Sequence, residues 1–232
     1  MNNFIKKTLA GTIAVAFLFT GCDAIKNANN TQKGGAVGAT GGAVIGGVIG
    51  NNVGDGDNTA LGAIIGGVVG GAAGAYIGNR MDKQAKEIEN EIPGAEVTRV
   101  GEGINVTFDE NSGVYFATEK YDLNEQSRNS LNKLAAIFKE YPDTNVLVEG
   151  HTDNTGSETY NMTLSKNRAQ EVTDFFSSHG LSSSRFTTKW YGETQPKYDN
   201  STADGRAKNR RVELAIVANE ELKEEAKENA DN

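Results

Sequence analysis

Three hydrophobic rhythms divide the chain. From residue 34 to residue 78 the rhythm is set by glycine. Gly34, Gly38, Gly42, Gly46, Gly50 and Gly54 fall every fourth position, and after the DGDN string the spacing resumes at Gly62, Gly66, Gly70, Gly74 and Gly78. A four-residue interval keeps residues on one helix face, and a face without side chains lets a second backbone approach closely. Val44-Ile45, Val48-Ile49, Ile64-Ile65 and Val68-Val69 fill the gaps, where a flexible glycine linker has no such pairs. The pattern predicts a helical hairpin over 34–79. Its uncharged arms of about 20 residues are each long enough for a hydrocarbon core ~30 Å thick. Interior glycine costs ~1 kcal/mol per residue in a helix in water, so membrane or self-association into a homo-oligomer is expected to support the hairpin.

Beyond Arg80 the rhythm becomes that of an ordinary α/β chain. The string MDKQAKEIEN reads as a charged helical linker over 80–93, closed by Pro93-Gly94. In AEVTRVGEGINVTF the GEG marks a hairpin turn, Ile104, Val106 and Phe108 alternate as one strand face, and GVYF at 113–116 reads as a further short strand. Leu131, Leu134, Ala135 and Phe138 form an i, i+3, i+4, i+7 stripe, so 124–141 is predicted helical until Tyr141-Pro142 stops it. A strand at 145–150, a helix to about 178 with Gly180 beyond it, and strands at 186–191 and 211–218 complete the pattern. Strands alternating with helices imply an α/β fold, an α+β two-layer sandwich over 94–218 with its helices on one sheet face. The acidic tail 219–232 has no aromatic residue and is expected to be disordered or a frayed, solvated helix.

The third rhythm carries a charge out of place. Leu164, Arg168, Val172 and Phe176 recur every four residues, which sets Arg168 on or beside an apolar stripe. A guanidinium there needs an anionic partner, and Asp153, at the mouth of the Val146-Leu147-Val148 strand, is the nearest upstream. A helix capped by Thr155 with Glu158 would carry Arg168 about 18 Å along its axis; one starting at Asn161 leaves it about 10 Å up, under a loop of 154–160, and is favoured. The two residues would then frame a pocket suited to a zwitterion, with Thr152, Asn154 and Asn161 as neutral hydrogen-bond partners. Arg210 and Arg211 precede the last strand, and only one of two successive residues can face that pocket.

Composition narrows the class. With 232 residues, a net charge of −8 and a pI near 4.9, nucleic acid is an unsuitable partner. Lys6 and Lys7, an apolar run from Leu9 to Phe19, and Thr20-Gly21 make residues 1–21 a secretory signal, followed by a polar tether over 22–33. Cys22 is the single cysteine, so no intramolecular disulfide accounts for it. His151 and His179 are the only histidines, without metal-ligand spacing, and no metal or cofactor is expected. Ser165, His151 and Asp153 lack a nucleophile-elbow signature, which favours a non-catalytic protein.

The strings VEGHTDNTG, NMTLSKNRAQEV, YGETQP and DGRAKNRRVEL, in that order over residues 104 to 218, resemble the OmpA-like peptidoglycan-binding domain of OmpA tails, Pal and MotB. The resemblance implies that Asp153 and Arg168 grip the diaminopimelate of the stem peptide. It also places the NRRV string, with Arg210 and Arg211, in the ligand neighbourhood. Trp190-Tyr191 stand where the family more often has Gly-Tyr, and are expected to pack at the strand end. The signal's end resembles a lipobox, which implies acylation of Cys22, with palmitate among its chains; the glycine arms resemble the glycine zippers of such lipoproteins. Together these imply an outer-membrane lipoprotein facing the periplasm that ties membrane to wall. Asp23 resembles an inner-membrane retention signal and leaves the membrane open. A structural protein oligomerising through the hairpin is the alternative.

Overall fold

The computed structural model describes residues 69–109, 112, 114–116 and 119–231. The signal segment, Cys22 and the glycine hairpin up to residue 68 lie outside them. The elements are α1 (Gly71–Glu91), β1 (Glu96–Val100), β2 (Gly103–Phe108), α2 (Glu125–Glu140), β3 (Thr144–Gly150), α3 (Glu158–Ser178), β4 (Phe186–Trp190), α4 (Ala203–Asn209), β5 (Val212–Ala218) and α5 (Glu220–Ala230).

Alternation along the strands builds two sheet faces. The strand order is β1-β2-β5-β3-β4; β3 and β4 are parallel, joined through α3, and the other neighbours are antiparallel. Ile104, Val106, Phe108, Val146, Val148, Leu214 and Ile216 turn to the helices, while Leu147, Ala215 and Val217 turn to the opposite face with Val100. The result is the expected two-layer α/β architecture. Phe176 stands 5.2 Å from both Phe138 and Phe186, which ties α2, α3 and β4 together. Arg185 closes the end of α2, donating to the carbonyls of Phe138 at 2.7 Å, Tyr141 at 2.7 Å and Thr144 at 2.8 Å, acceptors a helix end leaves open.

The described end of the second glycine arm, from Gly71 to Gly78, is helical and runs unbroken through Arg80 to Glu91 in α1, with Gly70 and Gly71 at φ of 76° and 65° where it starts. Three expectations are corrected. The stretch over 80–93 is no free linker, because Ile77, Met81, Ile88, Leu222 and Ala226 join the core built by the sheet. The tail is ordered into α5, capped by Asn219 accepting from Leu222 N at 2.9 Å; Leu222 and Ala226, four apart, give it an apolar stripe that packs on α1. Val114 to Phe116 form no strand. The backbone of Tyr115 instead exchanges hydrogen bonds with the Ser127 hydroxyl at 3.0 Å, and its carbonyl accepts from the Asn124 amide at 3.2 Å.

The β1–β2 hairpin clamps α1. The buried carboxylate of Glu102 accepts from Val69 N and Gly70 N, each at 2.7 Å, a charge placed where a helix N-terminus favours it. Arg99 pairs with Asp82 at 2.8 Å and donates to the Gly78 carbonyl at 3.2 Å. Arg80 reaches Asp143 at 2.5 Å on the far side.

Candidate functional site

Two glycines bring the site together. A Cβ on Gly150, the last residue of β3, would lie 2.2 Å from the Ser165 carbonyl of α3. One on Gly192 would lie 3.0 Å from Met162 N. Without side chains at these points, α3 presses against the strand ends, and Ser165 Oγ, accepting from Gly192 N and donating to the Met162 carbonyl at 2.9 Å, seals the seam. That hydroxyl is committed to the fold and unavailable as a nucleophile. Beyond Gly150, His151 N donates to the Arg211 carbonyl at 3.0 Å and Thr152 N to the Gly192 carbonyl at 2.9 Å. These bonds aim Asp153 into a cleft of about 500 Å³.

Asp153 is 6% exposed. Its Oδ1 accepts from Thr155 N at 2.8 Å and its Oδ2 from Arg210 Nη1 at 2.6 Å. Burial by itself would raise this carboxyl's pKa; the Thr155 and Arg210 hydrogen bonds outweigh it and hold the group below the usual carboxylate range. Arg168 is 1% exposed and lines the same cleft. Its Nε donates to the Lys120 carbonyl at 2.9 Å, and its guanidinium carbon sits 5.2 Å from the Phe116 ring centre.

Of the expected residues, Thr152, Asp153, Asn161, Arg168 and Arg210 share one cleft, with altered partnerships. Among the described residues the ion pair of Asp153 is with Arg210, not with Arg168. Helix α3 begins neither at Thr155 nor at Asn161: Ser157 caps it, accepting from Tyr160 N. Asn161 instead lies in the first turn, buried, and its amide donates to the carbonyls of Asp153 at 3.3 Å and Thr155 at 3.1 Å and to Glu193 Oε2 at 2.5 Å. It pins the 153–155 loop. Thr152 lines the cleft, buried, and its hydroxyl has no partner among the described residues.

Arg211 is corrected out of the site. At the start of β5 it points to the opposite sheet face and meets Glu213 at 2.5 Å, where burial would raise the Glu213 pKa and the Arg211 charge lowers it below the usual value. His151 lies on that side too, stacked 5.3 Å from Tyr191. Both its ring nitrogens lack hydrogen-bond partners among the described residues, with Nε2 4.0 Å from Glu149 Oε2, so its hydrogen bond in the strand-end network is that of its backbone N–H. Burial, and then the Arg211 charge, push its pKa down to about 3.

Other cleft residues escaped the sequence reading, Arg206, Tyr160 and Glu119 among them. Arg206 stands four before Arg210 on α4 and its C-cap, a spacing that shares a face once the helix is known. Gly205 permits that helix, since a Cβ there would meet the Asp199 carbonyl at 2.0 Å. Tyr160 and Glu119 complete the rim. The cleft thus holds three guanidiniums, two carboxylates and the apolar Leu164, a lining able to bind a zwitterion carrying further anionic groups.

Comparison with known proteins fits this geometry. Residues 115–210 match the OmpA family, and residues 1–82 match the YMGG-like Gly-zipper. The chain is 36% identical over 140 residues to the probable lipoprotein YiaD of Escherichia coli, covering 60% of this chain and 64% of that protein. It is 43% identical over 86 residues to the peptidoglycan-binding protein ArfA of Mycobacterium tuberculosis, covering 37% of this chain and 26% of that one. Among solved structures, the cell wall anchor of the T6SS from Pseudomonas aeruginosa superposes with a TM-score of 0.51 at 30% identity, over 60% of this chain and 97% of that one. The cleft between β3, α3 and α4 therefore belongs to a domain of the OmpA family, carried on a chain that begins with a YMGG-like Gly-zipper.

Proposed function

We propose that this protein is a non-catalytic envelope lipoprotein that holds the outer membrane to the cell wall. It is anchored by acylated Cys22 and binds the diaminopimelate end of the peptidoglycan stem peptide in the cleft. The observation that carries the reading is a buried carboxylate, Asp153, and a buried guanidinium, Arg168, lining one cleft at the end of β3. A diaminopimelate terminus offers an ammonium and a carboxylate on one carbon, the complementary pair. The ArfA and wall-anchor relatives support the wall as partner by their names.

The test is cosedimentation of the mature chain with purified peptidoglycan sacculi. Asp153→Ala and Arg168→Ala are each expected to abolish binding while the domain stays folded. Each substitution leaves one charge of the bound zwitterion without its partner in the cleft, a loss of ~3 to 5 kcal/mol of binding. Full binding by either variant would overturn the zwitterion site.

A further inference from the structure

Along α3, beside the cleft, Asn167, Gln170, Glu171 and Asp174 follow the i, i+3, i+4, i+7 spacing of a single helix face. They line a hollow of about 200 Å³, closed on one side by Tyr121. Tyr121 is 45% exposed, against the ordinary tendency of a large aromatic ring to be covered. We infer that this hollow is a subsite for a neutral, N-acetylated sugar ring of the glycan strand, adjoining the stem-peptide cleft; the inference rests on the wall-binding reading above.

The loop that carries Tyr121 is fixed from both sides. Glu119, on the cleft rim, has φ of 60°, a left-handed conformation that a non-glycine residue adopts only where its surroundings enforce it. The next carbonyl, Lys120, accepts from Arg168 at 2.9 Å. Tyr121 follows that carbonyl directly and Asn167 lies one helical turn beyond Leu164 of the cleft, so the hollow borders the cleft along both the loop and α3.

The lining chemistry selects a polyol. Glu171 and Asp174 are acceptors, Asn167 and Gln170 both donate and accept, and the hollow has no cationic side chain in its lining. Arg128 reaches Glu171 from outside the lining at 3.9 Å, so within the hollow a phosphate or carboxylate would face Glu171 and Asp174 with no cation of the lining to meet it. Vicinal hydroxyls and an acetamido group instead find acceptors and donors in alternation, and the C–H face of a pyranose ring lies on the tyrosine. Gln170 Nε2 already donates to Asp174 Oδ1 at 2.9 Å, which holds both groups in place.

The experiment compares two ligands on the mature chain by titration calorimetry: a disaccharide-bearing stem peptide and the same peptide without sugar. Wild type is expected to bind the disaccharide form about tenfold more tightly. Tyr121→Ala should remove that advantage and leave the bare-peptide Kd unchanged; Tyr121→Phe should keep it. Equal Kd values for the two ligands in wild type, or a Tyr121→Ala loss shared by both, would overturn the subsite while leaving the peptide cleft standing. If wild type bound neither ligand, the wall-binding reading would fall and the subsite with it.

Discussion

Burial keeps the His151 imidazole neutral, with a pKa pushed down to about 3, whereas an unfolded histidine titrates at about 6.5. Between those values the unfolded chain binds the proton that the folded chain refuses. Stability from this group is therefore complete above about pH 6.5 and declines as the pH falls toward 3, on the order of 1.4 kcal/mol per unit. Denaturation midpoints of His151→Phe, which keeps a ring against Tyr191, should flatten across that window; an unchanged slope would exclude His151 as the source. In the sequence, Asp153 and Arg168 were legible because each is a charge where the apolar pattern has no place for one. Arg210 and Arg211 were not separable, since strand alternation assigns opposite faces without saying which face is the cleft. The answer lay with Glu213, whose buried carboxylate claims Arg211 and leaves Arg210 for Asp153. Phe116 and Lys120 gave no signal, because they meet Arg168 only through a loop folded back from 48 residues upstream.

Helix boundaries obey the same division between local and distant causes. The α2 stripe and its Asn124 cap are both local, and the helix lies where periodicity puts it. The sequence offered helix α3 a cap at Thr155 or at Asn161, and Ser157, between them, caps it instead. Tertiary bonds chose among them: Asp153 engages Thr155 N, and Asn161 is drawn onto the loop and Glu193. The acidic tail misled for a related reason. Composition argues for disorder, yet two apolar residues four apart suffice when α1 supplies a surface to receive them. Leu222 is fully buried, so Leu222→Ala should destabilise the domain by about 2–4 kcal/mol. The loss would be read as a lower urea midpoint; a change below about 0.5 kcal/mol, typical of exposed sites, would mean that α5 contributes no packing.

At the scale of the molecule, α1 joins the Gly-zipper segment to the family domain, and the β1–β2 hairpin holds its first turn. Glu102→Gln keeps the shape of that contact and removes its charge, worth about 1.5–3 kcal/mol for hydrogen bonds to a charged group. Amide exchange over residues 69–74 should speed by roughly tenfold or more with sacculus binding unaltered; unchanged exchange would show that the carboxylate does not secure the helix. The clamp also fixes a line of tension. If the proposed anchoring holds, with the membrane attached ahead of Val69 and the wall bound at the cleft, a pull would enter beside β1 and β2 and leave at the end of β3, crossing β5 between them. The two amides bound to Glu102 take strain before any strand pairing does. Under load the molecule should yield first by unwinding its leading turn, a small compliant extension in series with a stiff sheet that passes the same force on to the cleft.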